Sequence, residues 1–260
     1  MMNDTDSYLS FDNSQIRISY VNNLRNRPTI IFLHDSYGCI ELWRDFPEEL
    51  CNITNCNKFI YDRQGYGKSS PFYKTERDLN YLEDEADILY KIINKLHIEF
   101  PIIFGHSDGG AIGLITAAKY PDYIKGLITE GAHTFVEEIS YNGLNQALSD
   151  FKNTDLREKL KKYHGDKTDD VFWIWINTWA SEKFKDWNIE YILPRINCPV
   201  LIIQGENDEY GSKKQVDSIK NGIKGKGKKL IVPNSGHTPH KTHKDIVLKE
   251  TKSFIANLER

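Results

Sequence analysis

Pro101-Ile102-Ile103-Phe104-Gly105-His106-Ser107-Asp108-Gly109-Gly110 is the stretch on which the fold turns. PIIF is a short unbroken apolar run, as expected of a strand covered on both faces. Ala111 to Tyr120 is alanine-rich, of helical composition, and stops at Pro121. Between them lies G-x-S-x-G, a strand-to-helix turn sharp enough to strain its central serine, with nearby glycines to relieve the crowding. Gly110, just inside the helix, lets that helix pack close to the sheet. The Ser107 hydroxyl then projects from the carboxyl end of a strand at a helix N-terminus. Backbone N–H groups and the helix dipole there favour developing negative charge.

The same alternation continues in both directions. Gln15 to Val21 alternates polar and apolar, as a strand with one wet face does, while Thr29 to Leu33, Lys58 to Tyr61, Tyr123 to Ile128, Pro199 to Ile203 and Lys229 to Val232 read as further strands. Helical periodicity appears over Leu79 to Leu96 and Ile246 to Leu258. Strands alternating with helices imply a mostly parallel sheet flanked by helices, an α/β class. From about residue 135 to 192 only helical patterns occur. This stretch carries four of the five tryptophans, Trp173, Trp175, Trp179 and Trp187. Phe172, Trp175, Ile176 and Trp179 fall on one helical face. We read 135–192 as a helical cap inserted into a core formed by 1–134 and 193–260, with Trp175 and Trp179 as candidate pocket-lining residues.

With 34 Lys+Arg against 37 Asp+Glu in 260 residues, the chain is near neutral. It offers no electrostatic footprint for nucleic acid or an anionic membrane. No apolar run approaches the length of a membrane span. The N-terminus MMNDTDSYLS lacks the basic and apolar regions of a signal peptide, so a cytoplasmic location is expected. Cys39, Cys51, Cys56 and Cys198 lack the paired spacing of a zinc or redox site, although Cys51 and Cys56 lie close enough in sequence to meet. Gly225-Lys226-Gly227-Lys228 lacks the spacing of a phosphate loop, and the seven lysines from Lys213 to Lys229 read as a solvated face. Neither a metal nor a cofactor is expected. The expected partner is a small-molecule substrate, and the chain is expected to be a monomer or homodimer.

A serine hydroxyl needs a base to take its proton. Gly236-His237 follows the last strand and the turn-forming Pro233-Asn234-Ser235, which puts His237 at the same sheet edge as Ser107. Asp208, in Gly205-Glu206-Asn207-Asp208 after the PVLII strand, is the candidate carboxylate to fix the imidazole tautomer. His240 and His243 compete as base, Glu130 and Glu206 as acid.

These motifs, together with His34-Asp35-Ser36-Tyr37-Gly38 and Asp62-Arg63-Gln64-Gly65-Tyr66-Gly67-Lys68-Ser69, resemble those of the α/β-hydrolase superfamily, in its capped single-domain branch of esterases, lactonases and carbon–carbon bond hydrolases. The order Ser107, Asp208, His237 is that family's order. The resemblance implies an oxyanion hole built from the backbone N–H groups of Ser36 and Asp108. It also implies a serine carboxylesterase, with lactonase, thioesterase, carbon–carbon hydrolase or cofactorless acyltransferase as alternatives on the same triad. A ligand receptor on a hydrolase fold is the alternative of another class. A serine nucleophile disfavours the haloalkane dehalogenases and epoxide hydrolases, which use aspartate there. Two positions depart from the family. Asp35 replaces the usual glycine of the first loop, and we expect it to be structural, held by Arg63 or Arg44. Asp62-Arg63-Gln64-Gly65 shifts the middle of the family's D-x-R-G element, which we take as scaffold. Asp108 follows the nucleophile, as in members of the branch that hydrolyse amino-acid esters, where an acidic residue can hold a substrate ammonium. At a helix N-terminus an aspartate is also favoured on its own account.

Overall fold

The computed structural model describes residues 7–11 and 14–258. Eight strands form one sheet: β1 (Ser7–Phe11), β2 (Ser14–Val21), β3 (Thr29–Leu33), β4 (Asn57–Tyr61), β5 (Pro101–His106), β6 (Gly126–Glu130), β7 (Val200–Gly205) and β8 (Gly227–Val232). Their spatial order is β1-β2-β4-β3-β5-β6-β7-β8. β1 and β2 run antiparallel at one edge, and every pairing from β4 to β8 is parallel. The five residues of β3, all six of β5 and all six of β7 are buried, as expected of apolar runs covered on both faces.

The helices are α1 (Phe46–Thr54), α2 (Tyr81–Lys95), α3 (Asp108–Lys119), α4 (Glu138–Asn153), α5 (Leu156–His164), α6 (Thr168–Trp179), α7 (Lys213–Gly222), α8 (Pro239–Thr242) and α9 (Lys244–Leu258). Phe46 and Leu50 of α1 and Val247, Phe254 and Ile255 of α9 pack with Phe32, Phe104 and Ile203 on one face of the sheet. Apolar residues of α2, α3 and α7 cover the other face. Helix α3 is buried along nearly its whole length, which explains its alanine and glycine content.

Residues 135–192 hold α4, α5 and α6, with a single bridge pairing Phe135 and Asn188 where the segment leaves and rejoins the sheet. Phe172, Trp175, Ile176 and Trp179 are buried. The rings of Phe151 and Phe172 stack at 3.7 Å, tying α4 to α6. Four cysteines are buried as free thiols, Cys51 and Cys56 included. Among the described residues no helix is long and apolar enough to cross a membrane.

The strand expected at Tyr123 to Ile128 begins later, at Gly126, and runs through Thr129 and Glu130. Tyr123 belongs instead to the turn after α3 and is exposed. Strand β1 and helices α1 and α7 were not expected from the sequence.

Candidate active site

The turn between β5 and α3 places Ser107 at φ 55°, ψ −119°. A side chain in that region costs roughly 1–3 kcal/mol. The close approach of β5, α3 and β3 makes glycine necessary on both sides. A Cβ on Gly105 would collide with the backbone of Gly109, and one on Gly109 with the carbonyl of Leu33. Asp108 is the first residue of α3, so its N–H has no partner within the helix. Ser36 lies on the turn after β3. Ser36, Ser107, Asp108 and His237 line one cleft.

His237 lies on the loop after β8. Its Nδ1 is 2.9 Å from both carboxylate oxygens of Asp208, on the loop after β7. Asp208 Oδ1 also accepts the N–H of Tyr210 at 2.9 Å, and Oδ2 accepts Gln204 Nε2 at 2.6 Å. Burial alone would raise the Asp208 carboxyl, but His237 and these donors hold it below the usual carboxylate range. Burial likewise opposes charge on His237, and the Asp208 carboxylate overrides it and raises the imidazole. With Nδ1–H donating to Asp208, the neutral His237 ring keeps a lone pair on Nε2, the tautomer that a general base requires. The three sequence-predicted residues are therefore gathered at one edge of the sheet.

The alternatives fall elsewhere. Glu130 accepts from His240, through Nδ1 at 2.5 Å and the backbone N–H at 3.0 Å, which forms a second, fully buried acid–imidazole pair behind the cleft. Glu206 is exposed and reaches the N–H of Asn234. The His243 ring lies away from the cleft lining and meets its neighbour Thr242, Nδ1 to Oγ1 at 3.0 Å. His106, Glu130 and His240 bring three ligand-type atoms within 4.8 Å of one another, as do Cys39, Glu41 and Asp62. Hydrogen bonds already occupy the first group: Glu130 with His240, and His106 with the carbonyl of His237.

Asp35 departs from expectation in its partner. Its carboxylate meets His106, Nδ1 to Oδ2 at 3.4 Å, and accepts the N–H of Tyr37 at 3.2 Å. Neither arginine reaches that carboxylate. Arg63 instead donates to the backbone oxygen of Asp35 at 2.8 Å, because its guanidinium is held over the Tyr66 ring at 4.6 Å. The neighbouring Asp62 accepts the N–H groups of Ile40 and Lys68, which fits the scaffold reading of that element.

Both cap tryptophans, Trp175 and Trp179, line the cleft. Trp179 Nε1 donates to Tyr81 OH at 2.9 Å, and Tyr81 OH donates in turn to Asp108 Oδ2 at 3.2 Å. Arg63 Nη2 lies 3.7 Å from the same oxygen, while Asp108 Oδ1 is buried without a hydrogen-bond partner among the described residues. The cleft also has walls that sequence reasoning missed: Tyr37, His133, Ser140, Leu144 and Tyr210. The Tyr210 carbonyl receives both Ser140 Oγ at 2.7 Å and His133 Nε2 at 3.1 Å, joining cap and core across the cleft. The sequence signalled two of them: Tyr37 directly follows the candidate oxyanion donor Ser36, and Tyr210 lies two residues after the candidate acid Asp208.

Known proteins resemble this chain in sequence and in fold. The α/β hydrolase fold family matches residues 28–171. The chain is 30% identical over 227 residues to serine hydrolase BPHL of Homo sapiens, covering 81% of this chain and 74% of that protein. It is 25% identical over 253 residues to a proline iminopeptidase of Saccharolobus solfataricus, covering 81% and 80%. Among solved structures, a bacterial membrane phospholipase A superposes with a TM-score of 0.81 at 18% identity, over 98% of this chain and 87% of that one. A sheet of this order, a strained turn after its central strand and a family match over more than half the sequence leave one assignment: the chain belongs to the α/β-hydrolase family and is a hydrolase.

Proposed function

We propose that the chain is a serine carboxylesterase that cleaves small-molecule esters through an acyl-enzyme. Ser107 Oγ attacks the carbonyl carbon while His237 Nε2 takes its proton. The N–H groups of Ser36 and Asp108 receive the oxyanion. The tetrahedral intermediate then collapses, and His237 returns the proton to the departing alcohol. Water, deprotonated by His237, attacks the acyl-enzyme and releases the acid. Asp208 orients the ring and stabilises it when protonated. The observation that carries this reading is the strained Ser107 in the same cleft as an imidazole whose other nitrogen is bonded to a buried carboxylate.

Asp108 supports a narrower substrate class. One of its oxygens is held by Tyr81 and Arg63, and the other is buried with no hydrogen-bond partner among the described residues. A buried acceptor with no donor is costly unless a ligand supplies one. An acyl group with an α-ammonium would supply it, so an amino-acid ester is the substrate we favour. The test is a panel of short esters, lactones, thioesters, and an α-amino ester beside its desamino analogue. Ser107→Ala should lose at least about 10³-fold in kcat on every active substrate; turnover at the wild-type rate ends the proposal. The α-amino ester should lead its analogue by tenfold or more in kcat/KM, and Asp108→Asn should erase that lead. Equal rates for the two esters would remove the amino-ester reading and leave the triad standing.

A further inference from the structure

His106, the residue before Ser107, is buried, and both its ring nitrogens face acceptors. Nε2 lies 2.9 Å from the carbonyl oxygen of His237, and Nδ1 lies 3.4 Å from Asp35 Oδ2. A carbonyl and a carboxylate only accept, so each of these contacts is favourable when the ring nitrogen that makes it carries a proton. The other groups packed around it do not change this. Glu130 Oε1, 3.9 Å from Nε2, is already bonded to His240, and the rings of His237, His240 and Trp43 stand at 5.0, 5.1 and 6.4 Å. Asp35 lines the cleft next to Ser36, the proposed oxyanion donor, where a bare carboxylate would oppose the charge that develops on the substrate.

We propose that His106 is a positioning residue: its doubly donating ring neutralises Asp35 and pins the carbonyl of His237, holding the oxyanion loop and the histidine loop to the strand that carries Ser107. The inference rests on the acyl-enzyme reading and deepens it.

Charge and hydrogen bonding can be separated by substitution. His106→Gln keeps a donor for the His237 carbonyl but brings no charge to Asp35. Asp35→Asn keeps the acceptor for Tyr37 N–H and offers an amide donor to a neutral His106. kcat and KM for p-nitrophenyl acetate and the melting temperature are measured for both variants and for Asp35→Asn/His106→Gln. His106→Gln should lose about 100-fold in kcat with KM within threefold, the scale of one oxyanion contact. Asp35→Asn should keep at least tenfold more kcat than His106→Gln. The double variant should recover at least tenfold over His106→Gln, which a merely structural histidine would not allow. A double variant as slow as His106→Gln, or a recovery in melting temperature without one in kcat, overturns the proposal. Should His106→Gln fail to fold, Asp35→Asn alone decides: a 100-fold loss there means that the carboxylate itself is needed and overturns it too. Activity that survives Ser107→Ala sinks the parent reading, whereas Ser107-dependent turnover without the recovery sinks only this one.

Discussion

Replacing Asp208 by asparagine keeps the shape of the side chain and removes one acceptor, and the surroundings dictate the consequence. Oδ1 receives the N–H groups of Tyr210 and Gly211, at 2.9 and 3.3 Å, so the single carbonyl oxygen of an asparagine is drawn there. The amide nitrogen must then occupy the Oδ2 position, facing Gln204 Nε2 and His237 Nδ1. Gln204 cannot rotate its oxygen inward without cost, because its Nε2 also serves the Gly211 carbonyl at 2.9 Å. The histidine is the partner that yields. Its Nδ1 becomes the acceptor, its proton moves to Nε2, and the base presents Ser107 with a donor. A wrong tautomer in an otherwise intact triad costs about 10⁴-fold in kcat, or roughly 5.5 kcal/mol of transition-state stabilisation. A second signature is independent of the plateau. The Asp208 carboxylate raises the imidazole against burial, so the acidic limb of wild-type kcat/KM should lie above pH 6.5, where His237 loses its proton. Without the Asp208 carboxylate the largest opposition to burial is lost, leaving only the smaller pull of Glu209 and Asp35, and the limb should move to lower pH. Steady-state hydrolysis of a chromogenic ester from pH 5 to 9 measures both. A variant within tenfold of wild type, with an unmoved limb, would refute the role given to Asp208.

Two further outcomes test the framework around the site. Gly109→Ala drives a methyl group into the Leu33 carbonyl, a clash with backbone that no rotamer relieves, so a loss of about 3 kcal/mol or more is expected; that is roughly 6–12 °C in melting temperature for a chain of this size, and a change under 2 °C would contradict the close approach of α3 to β3. Phe172→Ala removes a fully buried ring stacked on Phe151 and should cost about 3–5 kcal/mol, with faster hydrogen exchange concentrated in α4, α5 and α6 rather than in β3, β5 and β7; uniform acceleration throughout the chain would show that the cap does not open as a unit.

What could be read from the chain follows from where each constraint acts. Strands β3, β5 and β7 were legible because burial on both faces demands an unbroken apolar run, and β6 was displaced because its end carries Thr129 and Glu130, polar residues that the sheet buries, Glu130 against His240. Strand β1 is a half-exposed edge and α7 is rich in lysine, so neither presents the apolar stripe by which such elements are found. Among site residues, Ser107, Asp208 and His237 each follow directly from a strand, and that local register is written in sequence. Apart from Trp175 and Trp179, the cleft walls are not, because His133 and Ser140 meet Tyr210 across separations of 77 and 70 residues that no periodicity encodes. His106 is the most instructive case. The nucleophile motif admits any residue there, since its steric demands fall on Gly105 and Gly109. The demand on position 106 comes from elsewhere: an aspartate stands at position 35, 71 residues earlier, where the family usually has glycine, and a part-buried carboxylate beside an oxyanion site is best matched by a cation. The departure in the first loop and the histidine before the serine are thus two halves of one electrostatic requirement, visible only when the sheet brings β3 and β5 side by side.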